Sequence, residues 1–228
     1  MKLFVLVTLM FLLGMACSQT APNYDYDLQG HRGARGLLPE NAIPGFLRAI
    51  DEGVDTIELD LAVTADSMLI VSHEPWFNHA ISTKPDGEPV SEEEEQSLNI
   101  YEMTFEETQQ YDVGRRGNAK FPDQEPIDVT KPLLSEAVLA IETYVEENGL
   151  LPVRYNIETK SRPEWYGVYS PLPETFSRLL YDQLVALDIL DRSTVQSFDP
   201  STLIEMNKID PDVSLAMLVF EESQSVER

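Results

Sequence analysis

Cysteine is almost missing from this sequence: Cys17 is the one cysteine in 228 residues. Disulfides within the chain are thereby excluded. Histidine is nearly as scarce, with three. Basic residues are few beside acidic ones, 16 against 40, and the net charge is −24. Such a balance excludes a nucleic-acid-binding protein, whose affinity rests on a basic surface. No internal repeat is present, and the only low-complexity tract is the run Glu92 to Glu95. The apolar run at 3–15 is too short for a comfortable membrane span. What remains has ordinary globular apolar content, 43%, and enough length for one sizeable domain.

The N-terminus reads as a targeting segment rather than as part of the fold. Lys2 supplies a positive start, the apolar run follows, and Ala16-Cys17 closes it. This resembles a bacterial lipoprotein signal, with Gly14 where Leu is usual and Leu13 one place earlier. We expect residues 1–17 to be the signal, Cys17 to carry a lipid, and 18–25 to be a polar tether. The chain would then be exported, as a periplasmic or outer-membrane lipoprotein touching the membrane only through that anchor. Plain secretion after cleavage is the alternative.

From there to the end, short apolar strands alternate with polar loops and amphipathic helices. Strands are expected at 27–30, 56–63, 68–72, 153–158, 194–198 and 215–220, and helices at 41–52, 133–147, 173–187 and 200–208. Ile43, Phe46, Leu47 and Ile50 form one apolar stripe, with Gly53 where a C-terminal cap belongs. Leu134, Val138, Ile141 and Val145 form a second, and Phe176, Leu179, Leu180, Leu184 and Leu187 a third. Asp199-Pro200 is an N-cap followed by proline in the first helical turn. Alternation of strand and helix implies an α/β fold with a parallel sheet. The segment 79–131 breaks the pattern: it is long, polar and acidic, with one short helix expected near 97–111. We expect an insertion with its own role; a mobile surface loop is the alternative.

The chemistry-bearing residues lie at strand ends. In Ile57-Glu58-Leu59-Asp60-Leu61, alternation puts Glu58 and Asp60 on one face. Carboxylates so placed repel unless a cation lies between them, and a hard divalent metal would serve. Taken alone, this pair reads more readily as a solvated strand face. In Asn156-Ile157-Glu158-Thr159-Lys160, the residues Asn156, Glu158 and Lys160 project together. A closed sheet would gather Glu58, Asp60 and Glu158, with Lys160 beside them to hold an anion. His31 follows the first strand and His73 ends the third. These are the edges where barrel enzymes keep catalytic groups, and histidine is suited to proton transfer near neutral pH. Arg32 could grip a phosphate through two hydrogen bonds. His79, in the insertion, is expected to be non-catalytic.

In order, His31-Arg32-Gly33, Pro39-Glu40-Asn41, Glu58-x-Asp60, His73, Asn156-Ile157-Glu158-x-Lys160 and Gln196-Ser197-Phe198-Asp199 resemble the glycerophosphodiester phosphodiesterase family. Each motif is weak alone; six in sequence over roughly residues 27–220 are not. The resemblance implies a (β/α)8 TIM barrel hydrolysing glycerophosphodiesters to glycerol 3-phosphate and an alcohol. It implies Mg²⁺ or Ca²⁺ on Glu58, Asp60 and Glu158, with His31 and His73 as acid–base pair. Arg32 and Lys160 would lie at the phosphate, and Asn41, Gln196 and Phe198 elsewhere in the pocket. In similar enzymes the neighbouring glycerol hydroxyl attacks, giving a cyclic phosphate that water opens. His73 is our choice of first base and His31 of first acid. The net charge would repel such a substrate, so local cations must reverse the field inside the site.

The chain departs from the family at three places. Ala42 stands where Thr is usual and Glu74 where Asp is usual. No Trp-Thr-x-Asn stretch is present, neither Trp76 nor Trp165 lies in one, and about six strands can be counted. We expect a barrel incomplete at its C-terminal side, exposing sheet edges. Two rival functions share these residues: a phospholipase-D-like enzyme acting on lysolipids, and an inactive substrate-binding lipoprotein. The head group, the choice of metal and the oligomeric state are not encoded in any motif.

Overall fold

In the computed structural model, residues 26–220 are described; the expected signal and tether at 1–25 lie outside the described residues, as do residues 221–228. The first elements are β1 (Gln29–His31), α1 (Ile43–Asp51), β2 (Thr56–Val63) and β3 (Leu69–Val71). The acidic insertion carries one short α-helix, α2 (Phe105–Thr108). Then come α3 (Leu134–Glu147), β4 (Arg154–Thr159), α4 (Pro173–Ala186), β5 (Ser193–Ser197), α5 (Pro200–Ile209) and β6 (Ser214–Met217).

Five strands pair in the order β1-β2-β4-β5-β6, every pair parallel. A parallel step requires a crossover, which α1, α3, α4 and α5 supply. Among the described residues the sheet is open, with β1 and β6 at its ends. Its outward residues Ile57, Leu59, Leu61, Ile157 and Val195 pack with Phe46, Ile141, Phe176, Leu180 and Met206 from the helices. Burying each such side chain contributes about 1.5–3 kcal/mol, so this layer fixes which face of every strand looks outward. The other face then holds Glu58, Asp60 and Glu158, all buried as well. Burying carboxylates is costly unless partners compensate. No helix among the described residues is long and apolar enough to cross a membrane.

The third strand departs from expectation. β3 is not a barrel strand: it runs antiparallel to β2, with Leu61 opposite Val71 and Val63 opposite Leu69. Only five residues, Thr64 to Met68, separate β2 from β3. That is too short for a parallel crossover and suits a hairpin. Ser67 takes a left-handed conformation, φ 61°, and the Thr64 hydroxyl accepts from the Met68 N–H. Among the described residues the parallel framework is therefore five strands plus a hairpin. The hairpin carries the chain back, so the Ser72 N–H reaches the Asp60 carbonyl.

The insertion is a folded unit. Phe77, Ile81, Val90, Ile100 and Val113 form a second core with Ala62 and Ile70 of the hairpin, and Phe77 stacks on Tyr111 at 4.1 Å. The helix expected near 97–111 is split in two. Asn99 caps one turn by accepting from the Tyr101 N–H. Thr104 then starts another through a capping box with Glu107. Two cap residues five apart interrupt what periodicity alone would join.

Candidate active site and metal centre

Register assembles the site. His31 on β1 aligns with Glu58 on β2, and Glu58 with Asn156 on β4. One step along, Asp60 aligns with Glu158, and Glu158 with Gln196 on β5. Neighbouring residues in a parallel ladder face the same way, so two polar rows cross the inner face. Carboxylate oxygens of Glu58, Asp60 and Glu158 consequently lie within 4.8 Å of one another.

Each carboxylate has its own support. Glu58 accepts from the Arg32 backbone N–H at 2.7 Å and from Gln196 Nε2 at 2.9 Å. Asn41 donates to Asp60 Oδ2 at 2.8 Å and accepts from the Asp60 N–H at 3.3 Å. Glu158 Oε1 receives Lys160 Nζ at 2.7 Å, and the same ammonium lies 3.7 Å from Asp60. Arg32 Nη1 pairs with Glu40 at 2.8 Å, and its Nε lies 3.4 Å from Asp60.

Backbone strain holds the first loop in place. Arg32 and Asn41 both take left-handed φ, 56° and 52°, which costs a side-chain-bearing residue energy that the surroundings must offset. Gly33 follows at φ 76°, where a Cβ would meet the Gly45 backbone at 2.7 Å. Only glycine fits this crossing of the His31 loop over α1, and the crossing aims the Arg32 N–H at Glu58.

Electrostatics separates the three acids. Burial, followed by the charge of Asp60, pushes the Glu58 carboxyl up to about 8. Burial also raises Glu158, against the opposing pull of Lys160. Burial would raise Asp60 too, but Lys160, His73, Arg32 and the Asn41 hydrogen bond outweigh it, and Asp60 is lowered. Asp60 Oδ1 is buried with no hydrogen-bond partner. Crowded carboxylates, two with raised proton affinity and the third with an orphaned oxygen, are the donor set that a hard divalent cation takes. The residues fit such an ion.

Both histidines border the same cavity, about 520 Å³ in volume. His31 is the more open; burial, then Arg35 and Arg32, lower its proton affinity. His73 Nδ1 contacts Glu74 Oε1 at 2.6 Å. Arg32, Glu58, Glu158, Lys160, Gln196 and Phe198 also line the cavity. Asn41 and Asp60 sit beneath it. His79 lies in the insertion and pairs with Glu95.

Two participants had no place in the motif reading, and two others take roles that the reading did not give them. Glu40, inside Pro39-Glu40-Asn41, holds Arg32, and Glu74, next to His73, holds that histidine. Arg162 lines the cavity and continues the alternation 156, 158, 160, a signal the sequence contains. Lys131, fully buried, donates to Ser72 Oγ at 2.8 Å, and nothing in its polar surroundings in the sequence marks it.

The sequence model of the glycerophosphoryl diester phosphodiesterase family matches residues 31–228. A glycerophosphodiester phosphodiesterase of Bacillus altitudinis is 29% identical over 193 residues, covering 84% of this chain and 65% of that protein. The chain thus spans just under two thirds of that relative's length. The crystal structure of a glycerophosphoryl diester phosphodiesterase, named as putative, from Silicibacter pomeroyi DSS-3 superposes with a TM-score of 0.76 at 26% identity, covering 89% of this chain and 68% of that one. An Oleispira antarctica phosphodiesterase solved with the product sn-glycerol-3-phosphate shares the fold, at TM-score 0.62 and 20% identity, over 85% of this chain and 66% of its own. A family match across residues 31–228, over an α/β framework of the same type, makes this chain a member of the glycerophosphoryl diester phosphodiesterase family.

Proposed function

We propose that the chain hydrolyses glycerophosphodiesters to glycerol 3-phosphate and an alcohol, with a divalent cation, Mg²⁺ or Ca²⁺, held by Glu58, Asp60 and Glu158. The observation that carries this is the triad itself: three buried carboxylates within 4.8 Å, on the cavity that both histidines border. A bound divalent cation would supply charge neutralisation at the phosphate oxygens.

The chain's own groups divide the remaining work. Glu74 accepts the Nδ1 proton of His73, which leaves Nε2 as the basic nitrogen. His73 takes the proton of the attacking glycerol hydroxyl as its oxygen bonds to phosphorus. His31, whose proton affinity is lowered, gives a proton to the alcohol oxygen as its bond to phosphorus breaks. Water then opens the cyclic phosphate with the two roles exchanged. Each transfer is worth ~100- to 10,000-fold in rate. Lys160 and Arg32 supply fixed positive charge beside the reacting phosphate.

The test is release of glycerol 3-phosphate from glycerophosphoethanolamine by the chain without residues 1–17. Release with Mg²⁺ or Ca²⁺, its loss on chelation and its loss in Glu58→Ala are expected. Turnover that survives chelation and Glu58→Ala would sink the proposal.

We also propose export, with lipid attached at Cys17. Expression in a bacterial host should place the full chain in the membrane fraction, and Cys17→Ser should move it to the soluble fraction. An unchanged distribution would remove the anchor.

A further inference from the structure

Resting on that proposed hydrolysis, the further question is which alcohol leaves. The cavity has two unlike ends. One holds the acids, both histidines and Lys160. The other is a wall of Phe198, Leu218 and Phe220, with Arg162 across it. Phe198 and Phe220 stack at 4.4 Å and 15°. With the phosphate at the first end, as proposed above, the second is left for whatever is attached beyond it.

Arg162 is the informative residue. Its backbone is extended, φ −154° and ψ 152°, so it prolongs the inward row of Asn156, Glu158 and Lys160. Its guanidinium lies 4.8 Å from the centre of the Trp165 ring and 6.0 Å from that of Phe220. Trp165 is held in turn by Trp76 at 5.7 Å and by Tyr169 at 6.4 Å, so the support is rigid. The side chain is half-buried. Among the described residues no carboxylate pairs with it, and Glu164, its closest acidic neighbour in sequence, is exposed and forms no ion pair. In a chain with 40 acidic residues against 16 basic ones, a cavity-lining guanidinium without an acidic partner is conspicuous.

Two consequences follow from its position. An alcohol bearing an ammonium group meets a like charge there. The aromatic faces that would otherwise attract an ammonium are already engaged by the guanidinium. An alcohol bearing a carboxylate or phosphate instead meets a planar donor suited to bidentate contact. We propose that Arg162, seated on Trp165 and Phe220, selects glycerophosphodiesters whose alcohol carries an acidic group and disfavours those whose alcohol carries an ammonium.

The test uses two diesters of nearly equal size and opposite charge, glycerophosphoglycolate and glycerophosphoethanolamine, with glycerophosphoglycerol as the neutral reference. Binding to the full chain is read from tryptophan fluorescence, because Trp165 lies under Arg162, and turnover is measured in parallel. We expect the glycolate diester to bind about tenfold more tightly than the ethanolamine diester, equivalent to about 1.4 kcal/mol. Arg162→Gln should bring the two together, and Arg162→Glu should reverse their order. Each comparison is a ratio within one protein, so a general loss of affinity leaves it readable. The order appearing in binding without turnover of any diester would support Arg162 and overturn the hydrolysis. Turnover with no charge order, or an order unchanged in Arg162→Glu, would overturn the selectivity and leave the hydrolysis standing. Absence of binding by all three would overturn both.

Discussion

Glu58 shows how a single residue sets the cost of the site. Its proton affinity is raised above the ordinary carboxylate value by burial and by Asp60. In the unfolded chain Glu58 titrates near the ordinary value of a glutamate, 4.5, so over the interval up to about 8 the unfolded state has lost a proton that the folded state keeps. Stability therefore falls as pH rises through that interval, and levels off above it. Glu58→Gln removes the titration. With chelator present, the variant should overtake the wild type in thermal stability between pH 5 and 8, by on the order of a few kcal/mol. Added Mg²⁺ or Ca²⁺ should stabilise the wild type and leave the variant almost unmoved, since binding to the folded state alone raises stability. Thermal melts at pH 5, 6.5 and 8, with and without the cation, test both. Parallel pH profiles for the two proteins would refute the assignment of Glu58. The same residue scale shows what motifs leave out. The carboxylates and histidines could be seen in the sequence because chemistry restricts their types. Lys131 could not, because only the fold brings residue 131 beneath Ser72.

Elements were legible where local rules decide them. α5 starts at Pro200 behind its Asp199 cap, as the dipeptide predicts. The stripes of α1, α3 and α4 face the core. Direction of a strand is not a local property, which is why β3 read as a sixth parallel strand; the five-residue connection before it decides otherwise. That difference serves the site, since the hairpin returns His73 to the level of Asp60. α1 carries a defect that the sequence did disclose. Its N-cap, Ala42, is extended, φ −131° and ψ 147°, and makes no side-chain cap. Pro44 at the second helical position has no N–H, which leaves the Gly45 N–H as the natural partner of a cap hydroxyl. Ala42→Ser should stabilise the fold by ~0.5–1 kcal/mol, measured as a shift in the denaturant midpoint with unchanged slope. A destabilised variant would show that the fully buried Ala42 site has no room for the oxygen.

At the scale of the whole molecule, two fields compete. The net charge of −24 repels an anionic diester at long range, whereas Arg32, Lys160 and Arg162 attract it within the cavity. Salt screens the two unequally. The Debye length falls from about 30 Å at 0.01 M to about 8 Å at 0.15 M. The distant acidic surface is therefore screened strongly, while charges within a few ångströms of the phosphate, partly shielded from solvent, are screened less. With the cation saturating, kcat/KM for a glycerophosphodiester should rise as NaCl goes from 0.01 to 0.15 M, by about two- to fivefold. A protein that steers anions through a basic funnel shows the reverse, a rate that falls with salt. A fall here would mean that the cations at the cavity govern capture from a distance. The acidic surface would then lie away from the approach to the mouth. A rise means that the local cations reverse the field only after the substrate has arrived. The low-salt penalty would then mark the acidic exterior as a barrier that each diester must cross before Arg32 and Lys160 can hold it.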